Sequence, residues 1–139
     1  MLRSLVGSEM CIRDRDYTGA DAVMIGRAAQ GRPWIFREVD HYLRTGETLA
    51  PPSYGEMREL LLEHLDDHYR FYGEHTGVRT ARKHIGWYLD GLPDADSFRD
   101  RMNLIDNTRD QWRAVSDWFL TISRDGNNPA PVAKALLAA

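Results

Sequence analysis

The spacing of hydrophobic residues along this chain changes once, just after residue 25. Before that point, residues 22–25 form a short apolar run between Gly19 and Gly26, and two of its four residues are β-branched. Such a run predicts a strand buried on both faces, as in a parallel sheet. Beyond it, apolar residues recur every three or four positions as far as residue 122, which is typical of amphipathic helices. The pattern predicts a mainly α-helical chain that opens with one strand.

The first predicted helix covers residues 33–44. Pro33 suits the first turn of a helix, because N–H groups there make no hydrogen bond within the helix and a proline has none to lose. Gly46 suits the position just after a helix, where the backbone is often left-handed. The segment 48–52 then contains two consecutive prolines, which resist helix formation. We therefore place a domain boundary between residues 50 and 51.

A helical bundle is predicted over residues 53–123. Ser53 and Glu56 have the spacing of a capping box, which starts a helix that runs to Tyr72 and ends at Gly73. Its apolar stripe consists of Met57, Leu60, Leu61, His64, Leu65, His68, Tyr69, Phe71 and Tyr72. The stripe predicts that all of these residues face the core.

The next helix is predicted to start near Val78, after a loop over residues 73–77, and to end at Gly91. Its apolar face consists of Val78, Ala81, Ile85, Tyr88 and Leu89. A last helical stripe follows the capping segment 94–97 and reaches residue 122, with a break expected near 106–108 because asparagine and threonine form helices weakly. Helices with such short connections bury one shared core, as in bundles of the four-helix type.

The two ends of the chain do not fit this pattern. The segment from Met10 to Arg15, together with the residues before it, resembles a translated sequencing adapter, so we treat residues 1–15 as non-native. This segment contains Cys11, the single cysteine, which is therefore assigned neither a disulfide nor a catalytic role. The alanine-rich end, residues 125–139, lacks the apolar bulk to dock and is predicted to be a flexible tail.

Composition limits the possible functions. The net charge of the 139-residue chain is −3, so any nucleic-acid binding must come from a local basic patch. No apolar run approaches the roughly 18–20 residues of a membrane span. A chain of 139 residues is also too short for a (β/α)₈ barrel, which needs on the order of 200–250 residues. We expect a cytoplasmic monomer that does not contact a membrane.

The residues that follow the predicted strand are suited to binding an anion. Glycines at 26 and 31 flank small residues, which lets the backbone approach a phosphate with free N–H groups, and Arg27 adds a positive charge. A tight strand-to-helix turn without a ligand explains the same spacing, and spacing alone favours that simpler explanation.

A basic cluster stands out in the helix predicted to begin near Val78. Arg79, Arg82 and Lys83 lie at positions i, i+3 and i+4 with no acidic residue among them. Three such cations repel one another, and either a polyanion or acidic side chains of another helix would compensate; an ordinary solvated face is equally compatible. Thr80, His84 and Trp87 border the cluster.

His64 and His68 have the i, i+4 spacing of metal ligands. The sequence between them lacks the glutamate of zinc proteases, and no third ligand is evident nearby. We therefore interpret both as core or boundary histidines and predict no metal site.

The motifs from Asp21 to Phe36, then Tyr72-Gly73, then Arg79 to Leu89 resemble bacterial tRNA-dihydrouridine synthases, in particular the B type. The resemblance covers about residues 16–122. In that family a TIM barrel carrying FMN precedes a small helical domain that holds tRNA. The resemblance implies that residues 16–50 are the end of the FMN-binding barrel, its last strand and helix, and that residues 51–124 are the tRNA-binding domain.

The resemblance also implies roles for individual residues. Gly26 and Arg27, with Ala28 beside them, match positions that bind the FMN phosphate, and Arg79, Arg82, Lys83 and His84 match the helix that holds tRNA. The parent enzyme would use NADPH and FMN to reduce uridine to 5,6-dihydrouridine, with a catalytic cysteine that this chain lacks. We expect the chain alone to be an inactive C-terminal fragment. The alternatives are a non-enzymatic RNA-binding module and a protein-interaction bundle.

Overall fold

The computed structural model describes residues 17–19 and 21–124, and this part of the chain is mainly helical. Its elements are a 3₁₀ turn at Arg27–Ala29 and four α-helices: α1 (Ile35–Thr45), α2 (Tyr54–Leu89), α3 (Ala95–Met102) and α4 (Thr108–Arg124). The chain divides into two compact units, and the boundary between them lies between Ala50 and Pro51. The predicted adapter segment 1–15 and the predicted tail 125–139 lie outside the described residues.

The strand predicted over residues 22–25 is not formed in the described part of the chain. Residues 22–26 have neither helical nor strand hydrogen bonding, and Met24 is 91% exposed. A strand exists only through hydrogen bonds to a neighbouring strand, and residues 17–19 and 21–124 contain no other. The mainly α-helical prediction is confirmed, whereas the strand is not.

In the first unit, α1 begins at Ile35, two residues after Pro33, and ends as predicted at Gly46. This glycine has φ 74°, and its amide donates to the carbonyl of Tyr42 at 2.8 Å. Ile35 and Val39 are buried, and the residues that pack on them are Ile25, Ala28, Ala29 and Tyr42. This cluster fixes the 3₁₀ turn on the first half of α1.

In the second unit, α2 is a hairpin of two helical arms, residues 54–72 and 74–89. The capping box is formed: Ser53 N–H donates to Glu56 Oε2 at 2.8 Å, and Glu56 N–H donates to Ser53 Oγ at 3.2 Å. Gly73 interrupts the helix with φ 74° and ψ 179°. The rings of His64 and Tyr88 lie 6.0 Å apart, although a straight helix would separate residues 24 positions apart by about 36 Å.

The predicted loop over residues 73–77 is therefore wrong. One glycine reverses the chain, because only glycine adopts this backbone conformation without strain, and the second arm is helical from residue 74. The predicted end of that arm is confirmed, since helix α2 stops at Leu89 and Gly91 has φ 76°.

The hairpin packs mainly on α4, and α3 contacts both. All five residues of the predicted apolar face in the second arm are buried, and the rings of Phe98 and Trp118 stack at 5.0 Å. The expected break is present between Met102 and Thr108. Asp94 precedes α3 but its side chain makes no capping hydrogen bond, because its own backbone is left-handed with φ 54°.

Three residues of the predicted stripe in the first arm do not face the core. Phe71 is 81% exposed, Tyr72 is 49% exposed and Leu60 is 37% exposed. Periodicity finds the side of a helix but not its width, and the arm is covered on one side only. No helix in the described part of the chain is both long and apolar enough to cross a lipid bilayer.

Two glycines in the second arm are expected to respond differently to replacement by alanine. A Cβ at Gly86 would meet only Arg99 Nε at 3.7 Å, so Gly86→Ala is expected to raise the free energy of unfolding by about 0.5–1 kcal/mol through helix propensity. A Cβ at Gly77 would lie 3.2 Å from Tyr69 Cδ1 and 3.4 Å from its Cα. Gly77→Ala should therefore raise the free energy of unfolding less than Gly86→Ala does, or lower it. Urea unfolding measures both variants, and an equal increase at the two sites would contradict this close approach of the arms.

Candidate nucleic-acid interface

The exposed side of the second arm carries two cations of the predicted basic cluster. Arg79 and Lys83 are both exposed and lie four residues apart, so they project from one stripe of the helix. Trp87 continues that stripe, and Lys83 Nζ lies 4.8 Å from the centre of its ring. The stripe therefore combines two positive charges with a flat, half-buried indole.

Arg82 has a different environment. It is half-buried, and its Nη2 donates to the carbonyl of Ile105 at 3.0 Å, in the connection between α3 and α4. Its Nε is buried and has no hydrogen-bond partner. The basic cluster therefore consists of an exposed pair, Arg79 and Lys83, and one arginine that ties the hairpin to the rest of the unit.

His84 borders this stripe on the side that faces the first arm, where it joins two histidines of that arm. Its ring centre is 5.1 Å from that of His64, 5.2 Å from that of His68 and 5.2 Å from that of Trp87. Sequence reasoning missed this cluster of three histidines (His64, His68 and His84), because the sequence does not state which residues of the two arms face each other.

The hydrogen bond between His68 and Thr80 indicates that Nε2 of the ring carries a proton. Thr80 Oγ1 lies 2.7 Å from His68 Nε2 and donates its own proton to the carbonyl of Thr76 at 2.8 Å. The hydroxyl must therefore accept from the imidazole, which carries its proton on Nε2. A neutral His68 with this tautomer satisfies the arrangement.

Burial lowers the pKa of all three histidines below the usual value of the side chain. For His84 the neighbouring His64, His68 and Lys83 lower the pKa further, whereas Asp67 opposes the shift at His64. The predicted interpretation of His64 and His68 as core or boundary residues agrees with their burial. No group of three or more potential ligands that could hold a metal ion occurs in the described residues.

The lowered pKa values predict that acid destabilises the hairpin. Because their pKa values are lowered by folding, these histidines take up protons more readily in the unfolded chain. The stability that the neutral histidines contribute to the fold is therefore complete above the ordinary histidine pKa of about 6.5, and it is lost as the pH falls below that value. The melting temperature measured by circular dichroism should fall between pH 7.5 and 5.5, and His84→Gln should reduce this fall. Replacing His75, which is exposed, by glutamine is the control; an equal effect of both variants would contradict the assignment.

The first unit places the residues predicted to hold a phosphate at the start of the 3₁₀ turn. Gly26 precedes the turn, Arg27 is exposed, and Ala28 packs on the cluster of Ile35 and Val39. The first amides of a helical turn have no acceptor within it, so the N–H groups of Arg27 and Ala28 have no partner inside the turn. A Cβ at Gly26 would meet nothing within 4 Å, so the space beside this backbone is open.

Residues 8–123 match the family model described as dihydrouridine synthase. The chain is 52% identical over 115 residues to tRNA-dihydrouridine synthase B of Pseudomonas aeruginosa, covering 83% of this chain and 35% of that protein. It is 55% identical over 104 residues to the protein of the same name from Shewanella oneidensis, covering 75% of this chain and 32% of that protein.

A third relative, tRNA-dihydrouridine synthase B of Serratia marcescens, is 52% identical over 108 residues, covering 78% of this chain and 32% of that protein. The chain thus spans about a third of the length of the curated relatives that it matches. The family match covers the 3₁₀ turn and all four helices of the described residues, up to residue 123. The chain therefore belongs to the dihydrouridine synthase family, with the B-type tRNA-dihydrouridine synthases among its relatives.

Proposed function

We propose that this chain is the C-terminal part of a tRNA-dihydrouridine synthase that reduces uridine in tRNA to 5,6-dihydrouridine, using FMN and NADPH in the cytoplasm. In this proposal residues 51–124 form the tRNA-binding domain. The observation that carries it is the exposed pair of Arg79 and Lys83 in an otherwise acidic chain of this family. Two exposed cations on one stripe of a helix, next to an indole ring, suit a polyanion.

The proposed contribution of the pair is affinity and orientation. Arginine and lysine side chains that contact phosphates fix where a nucleic acid lies but do not read its sequence. Arg82, which is bonded to the carbonyl of Ile105, supports this surface by holding the arm in place. His84 lies beside Trp87 at the edge of the same surface and is proposed as a hydrogen-bonding contact.

For the flavin, we propose that Gly26, Arg27 and Ala28 hold the FMN phosphate. The open backbone at Gly26, the amides without a partner inside the turn and the exposed guanidinium suit a dianion. When bound, FMN supplies the hydride that reduces the C5=C6 bond of the uracil ring. The catalytic cysteine and the groups around the flavin ring are proposed to lie outside this sequence, in the preceding part of the barrel whose last strand is residues 22–25.

The chain on its own is therefore expected to be colourless and to leave NADPH unoxidised. Absorbance at the flavin maximum after purification with added FMN, and NADPH oxidation in the presence of tRNA, measure both properties. Bound flavin together with turnover would contradict the assignment as a partial enzyme.

Binding of an unmodified tRNA transcript to the full chain is the direct test of the RNA-binding role. Two phosphate contacts predict an affinity that falls by about tenfold between 50 and 200 mM salt. If the bundle is instead a protein-interaction module, the chain should not bind tRNA even at low salt and should elute from a sizing column as an oligomer. A monomer that binds tRNA with this salt dependence supports the proposal.

A further inference from the structure

A row of rings crosses the surface of the hairpin, and its outer end has no role in the core. The row consists of Phe71, Tyr72, His68, His84 and Trp87. Successive ring centres are 4.8, 4.6, 5.2 and 5.2 Å apart. Such distances are those of rings in contact, so the row is continuous, although His68 in its middle is buried.

The two ends of the row differ in exposure. His68 is buried and holds the arms together through Thr80, whereas Phe71 is 81% exposed and Tyr72 is 49% exposed. At the other end Lys83 lies over Trp87, and Arg79 is the residue next to Thr80 along the arm. The exposed rings and the exposed cation pair therefore belong to the two facing arms of one hairpin, and the row of contacting rings connects them.

Rings beside cations have the chemistry of a site for a single-stranded nucleotide. Unpaired bases stack on tyrosine and phenylalanine, while neighbouring arginine and lysine side chains hold the phosphates. A second copy of this chain fits less well. A two-fold contact that covered both the rings and the cation pair would place like charges opposite each other across the interface, where they repel.

We propose that Phe71 and Tyr72 form a stacking site for an unpaired base of tRNA, with the adjoining backbone phosphates on Arg79 and Lys83. This inference rests on the proposed tRNA-binding function and adds a residue-level site to it. The site recognises unstacked nucleotides through their flat faces, so it favours loops over paired stems without reading a particular base.

The test replaces both rings by a residue that is apolar but not planar. Phe71→Leu/Tyr72→Leu in the full chain is expected to weaken binding of an unmodified tRNA transcript by about 5- to 150-fold, the range for losing one base–aromatic stack. Binding to a fully paired RNA duplex should be unchanged, and so should the slope of affinity against salt, because the cations remain. Leu104→Ala, at a residue that is 84% exposed on another element, is the control and should bind tRNA normally.

Four results would overturn the site. These are an unchanged tRNA affinity, an equal loss for tRNA and duplex, a loss matched by Leu104→Ala, and a wild-type oligomer that becomes a monomer when the rings are replaced. The single variant Phe71→Leu, with its melting temperature, separates loss of the site from loss of the fold. Failure of the wild-type chain to bind tRNA at any salt concentration would overturn the proposed function and this site with it, whereas normal wild-type binding with unaffected variants would overturn the site alone.

Discussion

Replacing Arg79 and Lys83 together by glutamate is expected to weaken binding of tRNA to the full chain by about 100-fold or more at 50 mM salt. Both side chains are exposed, so each contact with a phosphate releases a counterion, and glutamate adds repulsion to the lost attraction. The remaining binding should depend only weakly on salt. Filter binding or fluorescence anisotropy at several salt concentrations measures both quantities.

The control carries the same change of charge elsewhere. Arg113 and Arg124 are exposed on α4, so Arg113→Glu/Arg124→Glu changes the net charge equally but on a helix other than the hairpin. This control should lose far less affinity, because the proposed contacts are local. An equal loss in both double variants would mean that tRNA senses only the overall charge, and the interface would then be assigned incorrectly.

The ends of the helices were largely predictable from the sequence, because local chemistry sets them. Ser53 and Glu56 form the expected capping box, and Gly46 and Gly91 have the left-handed backbone expected after a helix. The break before Thr108 also follows from weak helix formers nearby. In each case the signal lies within a few residues of the feature that it determines.

The register of the hairpin was not predictable in this way. The contact of His84 with His64 and His68 depends on how Gly73 reverses the chain, and a single positive φ replaces the expected five-residue loop. The strand at residues 22–25 failed for a related reason, since pairing partners are not a local property. Helical spacing also placed Phe71 in the core, although nothing covers that side of the described bundle.

For the candidate interface, the sequence located the basic turn but did not show which of its three cations are exposed. Arg79 and Lys83 are exposed as expected, whereas Arg82 donates to a carbonyl 23 residues away. Such long-range contacts follow from packing and not from spacing along one helix. The role of each residue in tRNA binding stays a prediction.

Gln111 is the most consequential residue that the sequence pattern did not reveal. It is fully buried in α4, where its Nε2 donates to the carbonyl of Val78 at 3.2 Å and lies 3.5 Å from Met102 Sδ. Its Oε1 accepts from the hydroxyl of Tyr69 at 2.6 Å. Burial raises the pKa of Tyr69, so this hydroxyl stays protonated as the donor. One side chain thus joins α4 to both arms of the hairpin and to α3.

Gln111→Ala is expected to lower the free energy of unfolding by about 3 kcal/mol, because it leaves a cavity and a buried hydroxyl without its acceptor. Tyr69→Phe removes only the donor and should cost about 1–2 kcal/mol. Since both variants break the same hydrogen bond, the double variant should lose about 1 kcal/mol less than the sum of the two single losses. Urea unfolding at pH 7.5 measures all three variants.

The same variants connect the fold to the interface. Gln111 contacts Val78 next to Arg79 along the arm, so a loosened arm would also displace the exposed cation pair. Tyr69→Phe keeps the ring and should therefore bind tRNA as the wild type does, whereas Gln111→Ala should bind more weakly once its folded population falls. Strictly additive losses of stability would show that the Gln111–Tyr69 hydrogen bond contributes nothing to the stability of the hairpin.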